Sequence, residues 1–215
     1  MKILSVEPLA IPEVKVIRFA RFSDPRGYFT ELYRKSDFQE RPEMAMFRGL
    51  EFVQVNESWS RAGVIRGLHF QFNPYVGKLL RTVAGRMVDL ALDIRPGSPT
   101  YGKIVACDMP SAPQREFGEW IWVPSGFAHG NFFPEPTQIQ YFCTGQWNPR
   151  GEGGISPLAG DLDWSLCDPG LKSLFDGLAC GAALLSEKDR NGLTLADWAA
   201  DPRRAHFAYK ACSQH

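Results

Sequence analysis

Sixteen prolines and twenty glycines are spread along this 215-residue chain, and they cut it into pieces too short for long helices. The runs between them are rich in Val, Ile, Phe and Trp, the pattern of short strands joined by turns. Strands are expected over Phe52–Asn56, Val64–Phe72, Lys78–Val83, Met87–Ile94, Lys103–Asp108, Glu119–Val123 and Gln138–Thr144. Ala84-Gly85-Arg86 reads as a tight turn, and Arg95-Pro96-Gly97-Ser98-Pro99-Thr100 as a loop. Val88, Leu90, Leu92 and Ile94 alternate with Met87, Asp89, Ala91 and Asp93, so that strand has two dissimilar faces. The chain therefore reads as an all-β sandwich or jelly roll whose mouth can hold a ligand. Helical signals are fewer: Ser36–Glu40, Leu171–Phe175 and Thr194–Trp198, the last with Thr194 and Asp197 spaced as a capping box. The expected organisation is one domain over 1–215, with a β core over about 15–165 and a helical or irregular tail over about 166–215.

Charge and cysteine usage remove several function classes. Lysine plus arginine equals aspartate plus glutamate at 24 each, so no net field draws nucleic acid or an anionic membrane. No stretch approaches the ~20 apolar residues of a membrane helix, and the first residues lack the pattern of a signal peptide. Cys107, Cys143, Cys167, Cys180 and Cys212 are odd in number and lack CxxC spacing, which indicates neither a disulfide framework nor a zinc site. A cytoplasmic protein is expected.

Chemistry concentrates in Gly63–Gln71 and Gly77–Arg81. From Gly67 to Phe72, strand alternation puts Gly67, His69 and Gln71 on one face and Leu68, Phe70 and Phe72 on the other. A strand histidine alone is most simply a buried residue bonded to a carbonyl. Arg66, Lys78 and Arg81, close by and unsuited to an apolar core, shift His69 toward proton abstraction next to the carbonyl of an anionic substrate. His129 lies in Pro124-Ser125-Gly126-Phe127-Ala128-His129-Gly130, read as a glycine-flanked turn at a pocket mouth. His206 reads as solvated and His215 is terminal. His69, Gln71 and His129 fall short of the His-x-His, Glu and distant His set of a metal-binding barrel, so no metal is expected. Arg26 and Glu31, around a turn, suit either a surface ion pair or, for Arg26, a phosphate fork.

Taken together, Asp24–Phe29, Phe52–Ser58, Val64–Gln71, Gly77–Arg81, Val88–Arg95, Ser98–Lys103, Ile121–Gly130 and, more weakly, Leu185–Asp189 resemble the dTDP-4-dehydrorhamnose 3,5-epimerase family of nucleotide-sugar epimerases. The resemblance implies a cupin-type jelly roll, a homodimer, and catalysis with no metal or organic cofactor. It implies His69 as general base, Asp189 as its orienting carboxylate, Lys78 near the C4 oxygen and Tyr141 as general acid. Arg26, Glu31, Gln54, Asn56, Arg66, His129 and Glu152 match positions that hold the nucleotide-sugar. The expected reaction is epimerisation at C3, C5 or both of a dTDP-linked 4-keto-6-deoxyhexose. Three features depart from the family pattern. Gln54-Val55-Asn56 has valine where a carboxylate is usual, and Thr144-Gly145-Gln146-Trp147 lacks a tyrosine, although Trp147 offers a broad face for stacking a base. The tail around Trp198 and Pro202-Arg203-Arg204 matches no family motif. The alternatives are a 3,4-ketoisomerase, a non-catalytic sugar-nucleotide binder and, furthest from the residues, a metal-dependent oxygenase.

Overall fold

The computed structural model describes residues 1–181 and 183–209; Cys212 and His215 lie outside them. In chain order the strands are β1 (Ile3–Pro8), β2 (Lys15–Ala20), β3 (Phe22–Asp24), β4 (Gly27–Phe29), β5 (Gln54–Ser60), β6 (Ile65–Gln71), β7 (Lys78–Ala84), β8 (Arg86–Asp93), β9 (Ile104–Pro110), β10 (Phe117–Val123), β11 (Phe127–Phe132), β12 (Thr137–Cys143) and β13 (Glu152–Gly154). The helices are α1 (Lys35–Glu40), α2 (Pro169–Ala179), α3 (Glu187–Arg190) and α4 (Leu195–Ala200), with 3-10 turns over Pro42–Phe47 and Pro202–Phe207. One sheet has the order β1-β2-β10-β7-β12-β5 and the facing sheet β13-β6-β11-β8-β9, while β3 and β4 form a separate hairpin. The expected all-β roll with short, mainly C-terminal helices is present. Among the described residues no helix is long and apolar enough to cross a membrane.

All seven expected strands exist, with ends shifted by a few residues. The Ala84–Arg86 turn does not close a hairpin: β7 and β8 belong to different sheets, so the chain crosses the roll there. The capping box is real, since the Thr194 side chain and the Asp197 backbone and side chain exchange hydrogen bonds at the start of α4. One expectation fails. Phe127–Phe132, read in part as a turn, is β11, a central strand between β6 and β8. All six of its residues are buried, so it shows no polar alternation, and its Ala, Gly and Asn hide its strand character.

The apolar residues form three clusters, and their arrangement sets where the site can be. Ile17, Phe19, Leu79, Trp120 and Trp122 on the six-stranded sheet pack outward against Phe38, Met44 and Phe47. Leu80, Met87, Ala91, Ile121, Phe127 and Ile139 lie between the sheets. The outer face of the five-stranded sheet, with Leu68, Phe70, Val88, Leu90, Leu92 and Ile94, is covered by Phe175, Trp198 and Phe207 from the C-terminal segment. Trp198 is fully buried, and its indole N–H donates to the Ile94 carbonyl at 3.0 Å. The pure apolar face of β8 thus points away from the roll, and its mixed face with Asp89 and Asp93 points inward.

A buried network anchors one end of this sheet. Asp93 accepts from the Arg95 backbone and guanidinium, from the Ser98 hydroxyl at 2.5 Å and from the Thr100 hydroxyl at 2.6 Å. These bonds hold its carboxyl below the usual aspartate range despite burial, which alone would raise it. The network explains the Arg95–Thr100 loop as a structural feature.

Candidate active site

Four strands of the roll each send one reactive side chain to the same place. His69 on β6 and His129 on β11 are cross-strand partners on the five-stranded sheet. From the opposite sheet come Lys78 on β7 and Tyr141 on β12. These four line both lobes of a single cavity. One lobe adds Gln54, Asn56, Gln71, Cys143, Trp147 and Glu152; the other adds Ser58, Arg66, Ser186, Lys188 and Asp189. A flat ring lying in the shared centre would have histidines on one wall and a lysine and tyrosine on the other.

The expected alternation holds from Leu68 onward, with Leu68 and Phe70 in the outer core and His69 and Gln71 in the cavity. It breaks at Gly67. His129 pairs with His69 and Asn131 with Arg66, so β6 carries one residue more than β11 over that interval. This bulge brings Arg66 into the cavity beside His69, where strict alternation would have sent it to the apolar face. Gly67 has φ +108°, and a Cβ there would lie 2.6 Å from the Gly130 Cα. The bulge therefore requires two glycines back to back.

Each histidine is held by an aspartate. His69 Nε2 lies 2.6 Å from Asp189 Oδ1, and the other Asp189 oxygen accepts from the Gly67 N–H at 3.3 Å. Burial pushes the Asp189 carboxyl up, but the His69 ring and the Gly67 and Ser186 groups outweigh it and hold it below the usual range. With Asp189 ionised, Nε2 is the nitrogen that donates to it, and in the neutral ring Nδ1 then keeps its lone pair. Asp189 arrives on α3, whose N-cap Ser186 accepts from the Asp189 N–H at 3.1 Å. His129 Nε2 lies 2.7 Å from Asp89 Oδ2, which also accepts from Asn131 Nδ2 at 2.8 Å. His129 is 5% exposed; burial pushes its pKa down, Asp89 partly offsets this, and Lys78 and His69 add to the lowering. It is a largely buried strand residue in the cavity wall, which corrects its placement at a mouth turn.

The opposite wall is tuned in complementary directions. Burial lowers the Lys78 ammonium, an effect that Cys143, Asp89 and Glu152 oppose. Burial raises the Tyr141 phenol, with Cys143 and Glu152 adding to the rise and Asn56 and Arg66 opposing it, so the hydroxyl keeps its proton. At the rim, Lys188 Nζ pairs with Glu152 at 2.6 Å. Burial raises the Glu152 carboxyl, and Lys188, His69 and the Trp147 side chain bring it below its ordinary value.

Ten of the twelve residues singled out from the sequence line this cavity: His69, Tyr141, Asp189, Lys78, Gln54, Asn56, Arg66, His129, Trp147 and Glu152. Arg26 and Glu31 do not. Arg26 lies on the β3–β4 hairpin with its side chain 90% exposed and pairs with Asp24 at 2.6 Å. Glu31 pairs with Arg34 and with the Met1 ammonium, so the Arg26–Glu31 pair is absent. Val55 also departs from the sequence reading. It is half-exposed on the outer face of β5, between inward Gln54 and Asn56, so its replacement of a carboxylate does not reshape the cavity. Sequence reasoning missed the roles of Asp89 and Lys188. The signal for Asp89 was its place opposite Val88, Leu90 and Leu92; the signal for Lys188 was its place next to Asp189, on the helical turn that reaches the cavity. Among the described residues no cluster of three or more His, Cys, Asp or Glu side chains has metal-binding geometry.

Comparison with known proteins agrees with this geometry. The family model described as dTDP-4-dehydrorhamnose 3,5-epimerase matches residues 8–197. A dTDP-4-dehydrorhamnose 3,5-epimerase from Pseudomonas aeruginosa is 40% identical over 190 residues, covering 88% of this chain and 94% of that protein. The crystal structure of the Legionella pneumophila dTDP-6-deoxy-D-glucose-3,5-epimerase, in complex with dTDP-4-keto-L-rhamnose, superposes with TM-score 0.74 at 33% identity, covering 89% of this chain and 93% of that one. A 4-keto-6-deoxy sugar epimerase from the novobiocin biosynthetic gene cluster of Streptomyces spheroides superposes with TM-score 0.77 at 30% identity, covering 99% and 96%. With the family model matched along most of its length, the chain belongs to the dTDP-4-dehydrorhamnose 3,5-epimerase family.

Proposed function

We propose that this protein epimerises a dTDP-linked 4-keto-6-deoxyhexose at one or both carbons flanking the ketone. The observation that carries the reading is the cavity centre, where a histidine oriented by an ionised carboxylate faces a protonated tyrosine across the roll. A C–H next to a ketone can be removed because the charge left behind spreads to oxygen as an enolate. The His69 Nδ1 lone pair takes that proton, and Asp189 stabilises the imidazolium formed. Lys78 donates to the developing enolate oxygen, and in a site shielded from water such a donor contributes several kcal/mol. Tyr141 delivers a proton to the opposite face, which inverts the carbon. The C4 ketone activates C3 and C5 alike, so one base and one acid serve both carbons if the ring repositions.

Arg66 and Lys188 at the rim suit the diphosphate, with Lys188 exchanging Glu152 for phosphate oxygens. Gln54, Asn56 and Trp147 offer amides and an aromatic face to the rest of the ligand. Arg26 and Glu31 match substrate-holding positions of the family yet lie away from this chain's own cavity. A homodimer in which the exposed β3–β4 hairpin of one copy completes the site of the other accounts for both facts. The hairpin's Phe22 and Phe29 and the outward Val53, Val55 and Trp59 beside the edge of the six-stranded sheet are apolar and exposed, as a covered interface requires.

Incubation with dTDP-4-keto-6-deoxyglucose in D₂O, followed by NMR of the recovered sugar, tests the reaction. Deuterium with inverted configuration at C3 and C5 identifies a double epimerase and at one carbon a mono-epimerase; no exchange at either would refute the reading. Tyr141→Phe should still exchange protons through His69 while inversion falls away. A carbonyl found at C3 instead of C4 would identify a ketoisomerase.

A further inference from the structure

Gln71 occupies the position two residues after His69 and ends β6 inside the cavity. Its side chain is buried, and the amide is engaged by backbone from two separate loops. Nε2 donates to the Pro74 carbonyl at 3.1 Å and to the Gln146 carbonyl at 3.0 Å, while Oε1 accepts from the Asn148 N–H at 2.9 Å. The residue bracketed by the last two bonds is Trp147, whose own N–H donates to Gln54 Oε1 at 2.9 Å. Three consecutive residues of that loop are thus pinned by two glutamine side chains. The loops also touch directly: a Cβ on Gly145 would lie 2.9 Å from both Pro74 Cγ and the Tyr75 carbonyl oxygen. Trp147 itself remains 62% exposed at the cavity rim, so little but its backbone and the Glu152 carboxylate fixes where the indole stands.

We propose that Gln71 is a positioning residue whose amide ties the two rim loops together and presents Trp147 as the wall on which the nucleotide packs. An amide is the one side chain of this size that offers two donors and an acceptor without charge, which the two carbonyls and one N–H here require. Glutamate would set a negative oxygen against two carbonyl oxygens, and leucine would remove the partner of all three partly buried backbone groups. Either change frees Trp147 while leaving His69 and Tyr141 in place. The inference rests on the nucleotide-sugar reading for its kinetic consequence, though not for the clamp itself.

Two measurements test it. In protein labelled with 5-fluorotryptophan, with the Trp147 line assigned by Trp147→Phe, Gln71→Leu and Gln71→Glu should shift or broaden that ¹⁹F resonance while the other tryptophan lines stay put. An unchanged Trp147 line in a folded variant overturns the clamp, whatever the substrate proves to be. Gln71→Glu keeps the side-chain volume and serves where Gln71→Leu fails to fold. In turnover, Gln71→Leu should raise KM and weaken dTDP binding by about tenfold, as expected for a lost stacking wall, with kcat nearly unchanged. Combined with Trp147→Ala it should cost no further affinity, since both remove the same wall. Penalties that multiply in the double variant, or a loss confined to kcat, would overturn the assignment. If the wild-type protein neither turns over the sugar nor binds dTDP, the nucleotide-sugar reading falls and the ¹⁹F result alone decides the clamp.

Discussion

The cavity holds two histidine–aspartate pairs of nearly equal length, 2.6 Å for His69–Asp189 and 2.7 Å for His129–Asp89, on neighbouring strands and in register. They differ in where the carboxylate comes from. Asp89 sits on β8, in the same sheet as His129, and the side chains of the pair are only 6% and 0% exposed. Asp189 is delivered from a single helical turn of the C-terminal segment, and its histidine side chain stays 28% exposed to the cavity. A pair built within one sheet is rigid and dry, suited to holding a fixed hydrogen-bonding pattern. A pair completed from outside the sheet leaves the imidazole accessible, as a proton carrier must be. Identical residues thus acquire different capacities from the elements that supply them.

Removing each histidine in turn tests this contrast most severely. His69→Ala should lower kcat about 10²–10⁴-fold, the range for a lost general base, with dTDP affinity retained. His129→Ala should act mainly on KM, and an equal loss of kcat from both variants would erase the distinction. Next in size is Trp198→Ala, which uncovers the sheet that Asp189 must reach. Removal of this fully buried side chain should cost about 3–5 kcal/mol in urea unfolding, and a cost below about 1 kcal/mol would make the tail an ornament. Asp89→Asn, which keeps the shape but removes the charge that fixes the His129 tautomer, should cost about 1–3 kcal/mol and leave the pH dependence of kcat in place.

Acid titration reaches the other pair. Asp189 has its folded pKa depressed, so its stabilising contribution is fully present above the ordinary aspartate value of about 3.9 and is lost as pH falls through the lower folded value. The stability gap between wild type and Asp189→Asn should shrink as the pH drops through that window; a constant gap would show that Asp189 is not ionically engaged. The smallest effect belongs to Ser186→Ala, which removes the cap of α3 at about 1 kcal/mol. It should reduce kcat modestly, and no change would mean that the His69 ring alone holds Asp189 in position.

Much of this was readable in advance because glycine, proline and β-branched patterning act locally. All seven strands named from the sequence are present, and ten of twelve site residues converge on one cavity. What stayed hidden depends on long-range packing. Phe127–Phe132 is buried on both faces, so no alternation announces β11. The bulge at Gly67 is a property of two strands, visible only once Gly130 is seen against it. Arg26 and Glu31 match motif positions yet pair locally, with Asp24 and Arg34, away from the cavity, and spacing alone could not separate those two placements. The tail around Trp198 matched no motif because its task is to cover a surface, which many sequences can do.

The outward orientation of the leucine face of β8 has a consequence for how such a protein changes over generations. Two of the three apolar clusters lie on the backs of the sheets, under the helical segments, so the interior needs hydrophobic filling only beside the cavity and not throughout. Substitution of the exposed Trp147 can then be tried with small thermodynamic penalty, while the frame that aligns His69 with Tyr141 persists. Robustness and novelty are assigned to different layers of one small fold, which lets a lineage explore new sugars without relearning how to fold.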